Sequence, residues 1–432
     1  MVRKKIGIRR EDKSEWERRT PLAPMDVKAL AAMGIPFVVQ PSKKRVFRDD
    51  QYREAGAEVS PDLSSCGVVL GVKEIPIDLL RDGVTYLYFS HTIKGQSYNM
   101  PALRRLMELE CNLIDYEKVA DEKGRRLIFF GTHAGLAGMI DSLWALGRRL
   151  LEDENLKTPF ADIKPSHAYD SLDEAKEAVR KAGDKISAEG IPGSPLVCGF
   201  TGYGNVSVGA QEIFDLLPVK EITPQELLGQ NFGQGDTKLF KVVFKEEHIV
   251  EPRNPEGSFD LQEYYDKPEL YRGVFDRYLP FLTILMNCVY WDEKYPRIVP
   301  LESLEQLFAS ETPKLKIIGD ISCDVKGGVE ATVKATQPDD PVFVYDPASS
   351  EHRMGFAGPG VAILAVDNLP CELPREASLH FSNALKPFIE NLSLSDLDKP
   401  FDELELAPEL KRALILHRGV LTPDFEYMQE YL

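Results

Sequence analysis

"GFTGYGNVSVGAQ", residues 199–211, sets three glycines between an apolar run, "PLVCGF", and the helical pattern of "NVSVGAQEIFDLL". A strand, a tight turn and a helix N-terminus in that order aim backbone N–H groups and the positive end of the helix dipole at a phosphate. Gly202 and Gly204 fill the first two places of a GxGxxG pattern, and Ser207 stands in the third. Serine is still small enough for the helix to lie close to the strand, and Gly209 supplies a second close-packing point. These residues read as a dinucleotide-binding turn, against the alternative of a glycine-rich strand turn with only a structural role. In such a turn an acidic residue about 20 positions on reaches the adenosine ribose. Glu221 in "VKEITPQEL" is near that place and points to NAD(H), whereas Lys220 or a separate arginine would accept a 2′-phosphate.

The loop begins almost halfway along a chain of 432 residues, so a substantial segment precedes it. That segment alternates short apolar runs with amphipathic stretches: "KIGIRR", "PMDVKALAAMG", "IPFVVQ", "DDQYREAG", "CGVVLGVKE", "VTYLYFSH", "NMPALRRLMELE" and "CNLIDYEKV". Strand–helix alternation predicts a parallel sheet covered by helices. Pro24 at the entry and Gly34 at the exit punctuate the first of those helices. "THAGLAGMIDSLWALGRRLLED" predicts a long helix crossing between domains, and "SLDEAKEAVRKA" a helix opened by serine and acidic residues. After residue 195 a second alternating set follows, with "LTILMNCVYW", "LKIIGDISCD", "PVFVYD" and "VAILAVDNLP" as further strands. Inside it, residues 236–257 alternate like an antiparallel hairpin and read as an insertion. The expected architecture is α/β: two Rossmann-like, doubly wound parallel-sheet domains with a cleft between them, joined by long helices. The expected division is residues 1–135 plus 376–432 for substrate and catalysis, and 136–375 for the dinucleotide.

Composition narrows the partners. With 69 acidic against 52 basic residues and a formal charge of -17, the chain lacks the basic balance that nucleic-acid phosphates demand. The longest apolar run, "LPFLTILMNCVYW" at 279–291, is shorter than the roughly 20 residues that span a bilayer, so no membrane partner is expected. "MVRKKIGIRRED" is basic, but no apolar stretch of signal length follows it, and Glu11 and Asp12 argue against a transit peptide. The six cysteines, Cys66, Cys111, Cys198, Cys288, Cys323 and Cys371, show no CxxC spacing, which suits a reducing, cytoplasmic setting with no metal site.

Two apolar runs of the first half end in ionisable groups. "CGVVLGVKEIP" leaves Lys73 and Glu74 at a strand end, and "VTYLYFSHTIKGQ" leaves His91, Lys94 and Gln96 at the next. The C-terminal strand edges of a parallel sheet share one crevice. A lysine desolvated there, or set near another cation, has a lowered pKa, and histidine already titrates near neutrality, so the two form a candidate proton-transfer pair. Taken singly, each is as well explained by a solvated strand end. Arg18 and Arg19 in "WERRTPLAP" are equal candidates for gripping a carboxylate, and Glu117 for holding an ammonium or tuning Lys73. His133 reads as an ordinary residue of a helix start.

The strings "IGIRRED", "WERRTPLAP", "GVKEIP", "FSHTIKGQ", "LIDYEKV", "AGLAGMI", "TGYGNVSVGAQ", "VDNLP", "ELPREAS" and "GVLTPDFEYMQEYL" run the length of the chain. Together they resemble the lysine-ketoglutarate reductase part of bifunctional aminoadipic semialdehyde synthase. More distantly, they are similar to lysine-forming saccharopine dehydrogenase and alanine dehydrogenase. The resemblance implies a monofunctional oxidoreductase on CH–NH donors that joins L-lysine to 2-oxoglutarate with a reduced nicotinamide cofactor, giving saccharopine. It implies Lys73 and His91 as the proton-transfer pair, tuned by Glu74 and Glu117, and Arg19 (over Arg18), Gln96 and Phe130 as substrate contacts. It implies cofactor contacts at Arg125, Gly204, Asn205 and the Val366, Asp367, Asn368 and Leu369 stretch, a homo-oligomer, and NADP(H), toward which the balance leans although Glu221 points to NAD(H). Two departures stand out: the bifunctional relatives continue into a second, saccharopine-oxidising enzyme, and His133 occupies a place where they carry an aromatic residue. The rival readings are a related amino-acid or opine dehydrogenase with another amine, or a catalytically silent dinucleotide-binding partner.

Overall fold

The computed structural model describes residues 3–230, 238–309 and 313–432. The chain forms two compact units, Met1–Phe130 with Pro374–Leu432, and Gly131–Leu373.

The first unit is built on an eight-stranded sheet. Six parallel strands, β1 (Ile6–Ile8), β2 (Phe37–Val39), β3 (Glu58–Val59), β4 (Val68–Leu70), β5 (Thr85–Tyr88) and β6 (Asn112–Asp115), lie in the order β3-β2-β1-β4-β5-β6. That is a doubly wound order whose direction of travel reverses between β1 and β4. Two strands from the chain's end, Leu414–His417 and Val420–Leu421, extend the β6 edge antiparallel. β1, β2, β4, β5 and β6 are buried along their whole length, which is why they read as unbroken apolar runs rather than as alternation. The helix Met100–Glu108 buries Met100, Leu103 and Leu106 on one face and turns Arg104 and Arg105 outward. Each buried leucine there contributes about 1.5–3 kcal/mol.

The second unit carries another eight-stranded sheet. Its strands are β7 (Leu196–Thr201), β8 (Val219–Glu221), β9 (Leu239–Phe244), β12 (Ile284–Asn287), β13 (Ile317–Asp320), β14 (Val342–Asp346), β15 (Glu351–Met354) and β16 (Val361–Leu364). Between β9 and β12 a separate antiparallel pair forms from β10 (Val250–Pro252) and β11 (Tyr271–Gly273). The main order is β15-β14-β16-β13-β12-β7-β9-β8, parallel from β16 to β8, with β14 and β15 added antiparallel. Residues 239–244, expected as one arm of an inserted hairpin, therefore form an interior parallel strand between β7 and β8. The remainder of that expected arm, Asp236 and Thr237, lies outside the described residues. The apparent polar alternation of "LFKVVF" comes from Lys241 alone. Its stem is buried and its ammonium reaches Asp215 at 2.7 Å and Glu221 at 3.1 Å.

The long helix Gly131–Glu154 belongs to this unit and crosses the helix Asn205–Phe214 at close quarters. A Cβ on Gly135 would sit 1.9 Å from the Val206 carbonyl oxygen, and one on Gly209 would sit 2.1 Å from that of Thr132. Only glycine lets the two backbones touch there. Ser207, in the third place of the glycine pattern, is fully buried and accepts a hydrogen bond from Gln211 at 2.9 Å.

Candidate active site

In the first unit the ends of β4 and β5 bring two of the predicted strand-end residues, Glu74 and His91, into contact. His91 Nδ1 lies 2.6 Å from Glu74 Oε1, and Lys13 donates to both oxygens of the same carboxylate at 2.9 and 2.8 Å. Burial works against ionisation of Glu74, but the hydrogen bonds from His91 and Lys13 outweigh it and hold the carboxyl at about 2. Lys73 is half-buried, and its amine is lowered from the ordinary lysine range, first by burial and next by the nearby Arg19 cation. His91 itself sits at φ 51°, a left-handed conformation that costs a non-glycine residue about 1–3 kcal/mol.

Buried hydrogen bonds keep His91 in that conformation. Ser90 donates its N–H and its hydroxyl to Asp115 Oδ2 at the end of β6. The Ser90 and Thr92 hydroxyls lie 2.8 Å apart, and Asn99 Nδ2 donates to the His91 carbonyl at 2.9 Å. Asp115, whose carboxyl burial pushes up, also accepts the Glu117 N–H at 2.8 Å. Neither Asp115 nor Lys13 stood out in the sequence, because an acidic strand end and a lysine in a charged loop are common surface patterns.

The other expected substrate residues have partners of their own. Arg19 is buried and held fork-to-fork by Glu17, Nε to Oε1 at 2.8 Å and Nη2 to Oε2 at 2.6 Å, with its guanidinium 4.2 Å above the Phe130 ring. Phe130 in turn stacks on Phe381 at 4.8 Å. Arg18 donates to the Lys44 carbonyl on the exposed surface, which leaves Arg19 as the interior member of the pair. Gln96 is exposed and accepts from the Tyr98 hydroxyl at 2.7 Å. The Glu117 carboxylate lies 3.9 Å from Arg126, and the exposed Arg125 is held by Asp121 at 2.7 Å.

In the second unit β7 ends at Thr201 and the helix begins at Asn205, with Gly202 at φ 77° and Gly204 as its N-cap. Among the described residues no side chain caps this N-terminus, and a Cβ on Gly204 would meet none of their atoms within 4 Å. Open space in front of uncapped N–H groups fits a pyrophosphate. Val366, Asp367 and Leu369 follow β16 at the same C-terminal sheet edge, with Val366 and Leu369 buried and Asp367 exposed.

Glu221 does not stand beside the glycine turn. It ends β8, the outer strand, separated from β7 by β9, and its carboxylate pairs with Lys241 at 3.1 Å. The strand next to β7 is β9, and just beyond its end lies Glu246. Glu246 lines a cavity of about 430 Å³ together with Gly202, Gly204, Tyr203, Tyr290 and Trp291. The Tyr265 hydroxyl donates to Glu246 Oε1 at 2.7 Å. Counting about 20 residues from the glycines reached the outer strand β8 rather than β9, the neighbour of β7, since the count assumes that the next strand in sequence is the next in space.

Among the described residues no group of three His, Cys, Asp or Glu side chains is placed to hold a metal, and no helix is long and apolar enough to cross a membrane.

Residues 7–137 match the alanine dehydrogenase/PNT N-terminal domain and residues 314–424 the alanine dehydrogenase/PNT C-terminal domain. The chain is 38% identical over 445 residues to the alpha-aminoadipic semialdehyde synthase of Arabidopsis thaliana, covering 98% of this chain but 41% of that protein. It is 28% identical to the saccharopine dehydrogenase [NAD(+), L-lysine-forming] of Emericella nidulans, over 90% of this chain and 92% of the relative. A solved L-alanine dehydrogenase has the same fold, with a TM-score of 0.62 at 20% identity over 99% of this chain and 100% of its own. The chain thus spans less than half the length of the synthase it matches. With the N-terminal and the C-terminal domain of one family both matched and this fold beneath them, the chain belongs to the alanine dehydrogenase/PNT family, and it is similar to the alpha-aminoadipic semialdehyde synthases and saccharopine dehydrogenases.

Proposed function

We propose that this chain is a nicotinamide-dependent oxidoreductase that joins the side-chain amine of L-lysine to the ketone of 2-oxoglutarate and reduces the resulting imine to saccharopine. The observation that carries this is the Lys73, Glu74 and His91 set at adjacent strand ends: a half-buried amine with lowered basicity follows one strand, and a histidine whose Nδ1 is fixed by Glu74 follows its neighbour. Lys73 Nζ takes a proton from the substrate ammonium, which frees the amine to attack. With Nδ1 pinned on Glu74, His91 offers Nε2 for the complementary transfer to the carbonyl oxygen that leaves as water. Arg19 meets a substrate carboxylate in exchange for Glu17, while Gln96, Glu117 and Phe130 complete the substrate surface.

The bound dinucleotide supplies the hydride. Gly202, Gly204, Asn205 and Ser207 are proposed to hold its pyrophosphate, and Arg125, Val366, Asp367 and Leu369 its remaining edge. Glu246 supports NAD(H): a carboxylate beside the glycine turn accepts from a ribose 2′-hydroxyl and repels a 2′-phosphate. The family resemblance leans instead to NADP(H), and one assay decides between them. Absorbance loss of NADH, and separately of NADPH, is followed with L-lysine and 2-oxoglutarate, each omitted in turn. Faster NADH oxidation that requires both substrates and forms saccharopine is expected. Consumption of neither cofactor would sink the proposal.

A further inference from the structure

Beneath the Lys73 strand end lies a carboxylate that the proposed proton transfers do not use. Glu11 follows β1 and is 5% exposed. It reaches the parallel neighbour β4 just past its last residue, where Oε1 accepts the Val72 N–H at 2.8 Å and Oε2 accepts the Lys73 N–H at 3.0 Å. Arg9, itself held to Asp12 at 2.7 Å, stands 3.7 Å from Oε2. Gly71 leaves room for both side chains, because a Cβ there would lie 3.1 Å from Arg9 Cδ and 3.6 Å from Glu11 Oε1. Burial pushes the Glu11 carboxyl up to about 7; Arg9 and the two N–H groups oppose that, while Glu17 adds to it. An N–H left buried without an acceptor keeps its full desolvation penalty, so the backbone at Val72 and Lys73 moves toward solvent if the carboxylate is lost.

We propose that Glu11 is a positioning residue: by clamping the N–H groups of Val72 and Lys73 with its two oxygens, it fixes the backbone from which the Lys73 amine enters its half-buried surroundings. This rests on Lys73 as the proton-transfer group, so the test includes a measurement that needs no turnover. The Lys73 amine responds to burial and to four facing charges, Arg19 and Lys13 lowering it and Glu17 and Glu74 raising it. All of these change steeply with its position.

The experiment labels the full chain with acetic anhydride across a pH series, reading modification of Lys73 against the exposed Lys123 by mass spectrometry. In the unsubstituted chain the Lys73 midpoint is expected below that of Lys123. In Glu11→Gln it is expected to rise toward Lys123, and in Glu11→Asp, which keeps the charge, to lie between. Turnover of Glu11→Gln is expected to fall about 100-fold in kcat, the effect of roughly 1 Å of misplacement, with KM for the dinucleotide unchanged. Thermal melting and dinucleotide binding check folding, and if Glu11→Gln does not fold, Glu11→Asp carries the same comparison. An unchanged Lys73 midpoint in the folded variant overturns the proposal. A shifted midpoint in a chain that does not turn over L-lysine and 2-oxoglutarate upholds it and removes only the substrate assignment.

Discussion

Alanine at Gly209 and alanine at Gly204 should separate packing from ligand binding within one loop. A Cβ on Gly209 would lie 2.1 Å from the Thr132 carbonyl oxygen and 3.2 Å from the Leu136 nitrogen. Carbon–oxygen contacts normally begin near 3.3 Å, about 1 Å farther out. The clash is backbone against a new methyl, so no rotamer change relieves it and the helices must part. Overpacking of this kind costs about 1–3 kcal/mol, and this contact belongs at the upper end. Better helix propensity returns up to about 1 kcal/mol, leaving a net loss of about 2 kcal/mol. For a unit of this size that lowers Tm by roughly 4–8 °C.

Gly204 behaves oppositely. Its φ of -76° and ψ of -174° suit alanine, and nothing lies within 4 Å of the added carbon, so Gly204→Ala should melt no lower than the unsubstituted chain. Its methyl, however, would fill the space before the uncapped helix N-terminus, and the Kd for the dinucleotide should rise at least tenfold, about 1.4 kcal/mol. Thermal unfolding followed by circular dichroism and calorimetric titration with NADH measure the two effects. Unaltered affinity in Gly204→Ala would refute the phosphate cradle. Unaltered melting in Gly209→Ala would refute the helix crossing.

Lys73→Met should lower kcat by about 10²–10⁴-fold while dinucleotide affinity, measured by titration, stays as it was; lost affinity would detach Lys73 from proton transfer. Glu246→Ser should shift the NADH-to-NADPH ratio of kcat/KM toward NADPH by about tenfold or more, and an unmoved ratio would return ribose recognition to another residue. Asp320, fully buried and hydrogen-bonded by Asn287 and Thr332, is pushed up to about 6, chiefly by burial. A carboxyl raised in the folded state binds more protons there than in the unfolded chain, so its contribution is present below the ordinary carboxyl range and lost as pH rises toward 6. The shift corresponds to about 3 kcal/mol. Asp320→Asn should therefore flatten the stability profile between pH 4 and 6 in denaturant titrations; a profile as steep as before would contradict the assignment.

Much of the site was legible because the decisive signals are local. An apolar run ending in Lys73 and Glu74, and another ending in His91, predict a shared crevice in any parallel sheet, and β4 and β5 are indeed neighbours. The glycine turn was equally plain, since strand, glycines and helix follow one another in sequence. Arg19 was legible as a candidate but not in its setting, because the bidentate Glu17 beneath it looks like any charge of a surface loop. Lys241 misled for a related reason: one snorkelling lysine in a buried strand imitates the alternation of an exposed hairpin.

What the sequence by itself determined was the kind of structure: two sets of strands and helices, each folding into a largely parallel sheet, with the candidate chemistry at strand ends. Periodicity and turn residues act over a few positions and carry that information directly. What only the tertiary structure decided was which strand ends meet. β9 lies beside β7 while β8 is pushed to the edge, so Glu246 rather than Glu221 faces the glycine turn. Glu11 meets the Lys73 backbone across 62 positions of sequence because β1 pairs with β4. Strand order and register are set by how whole crossover units bury their apolar faces against one another, a non-local balance that no short stretch of sequence records.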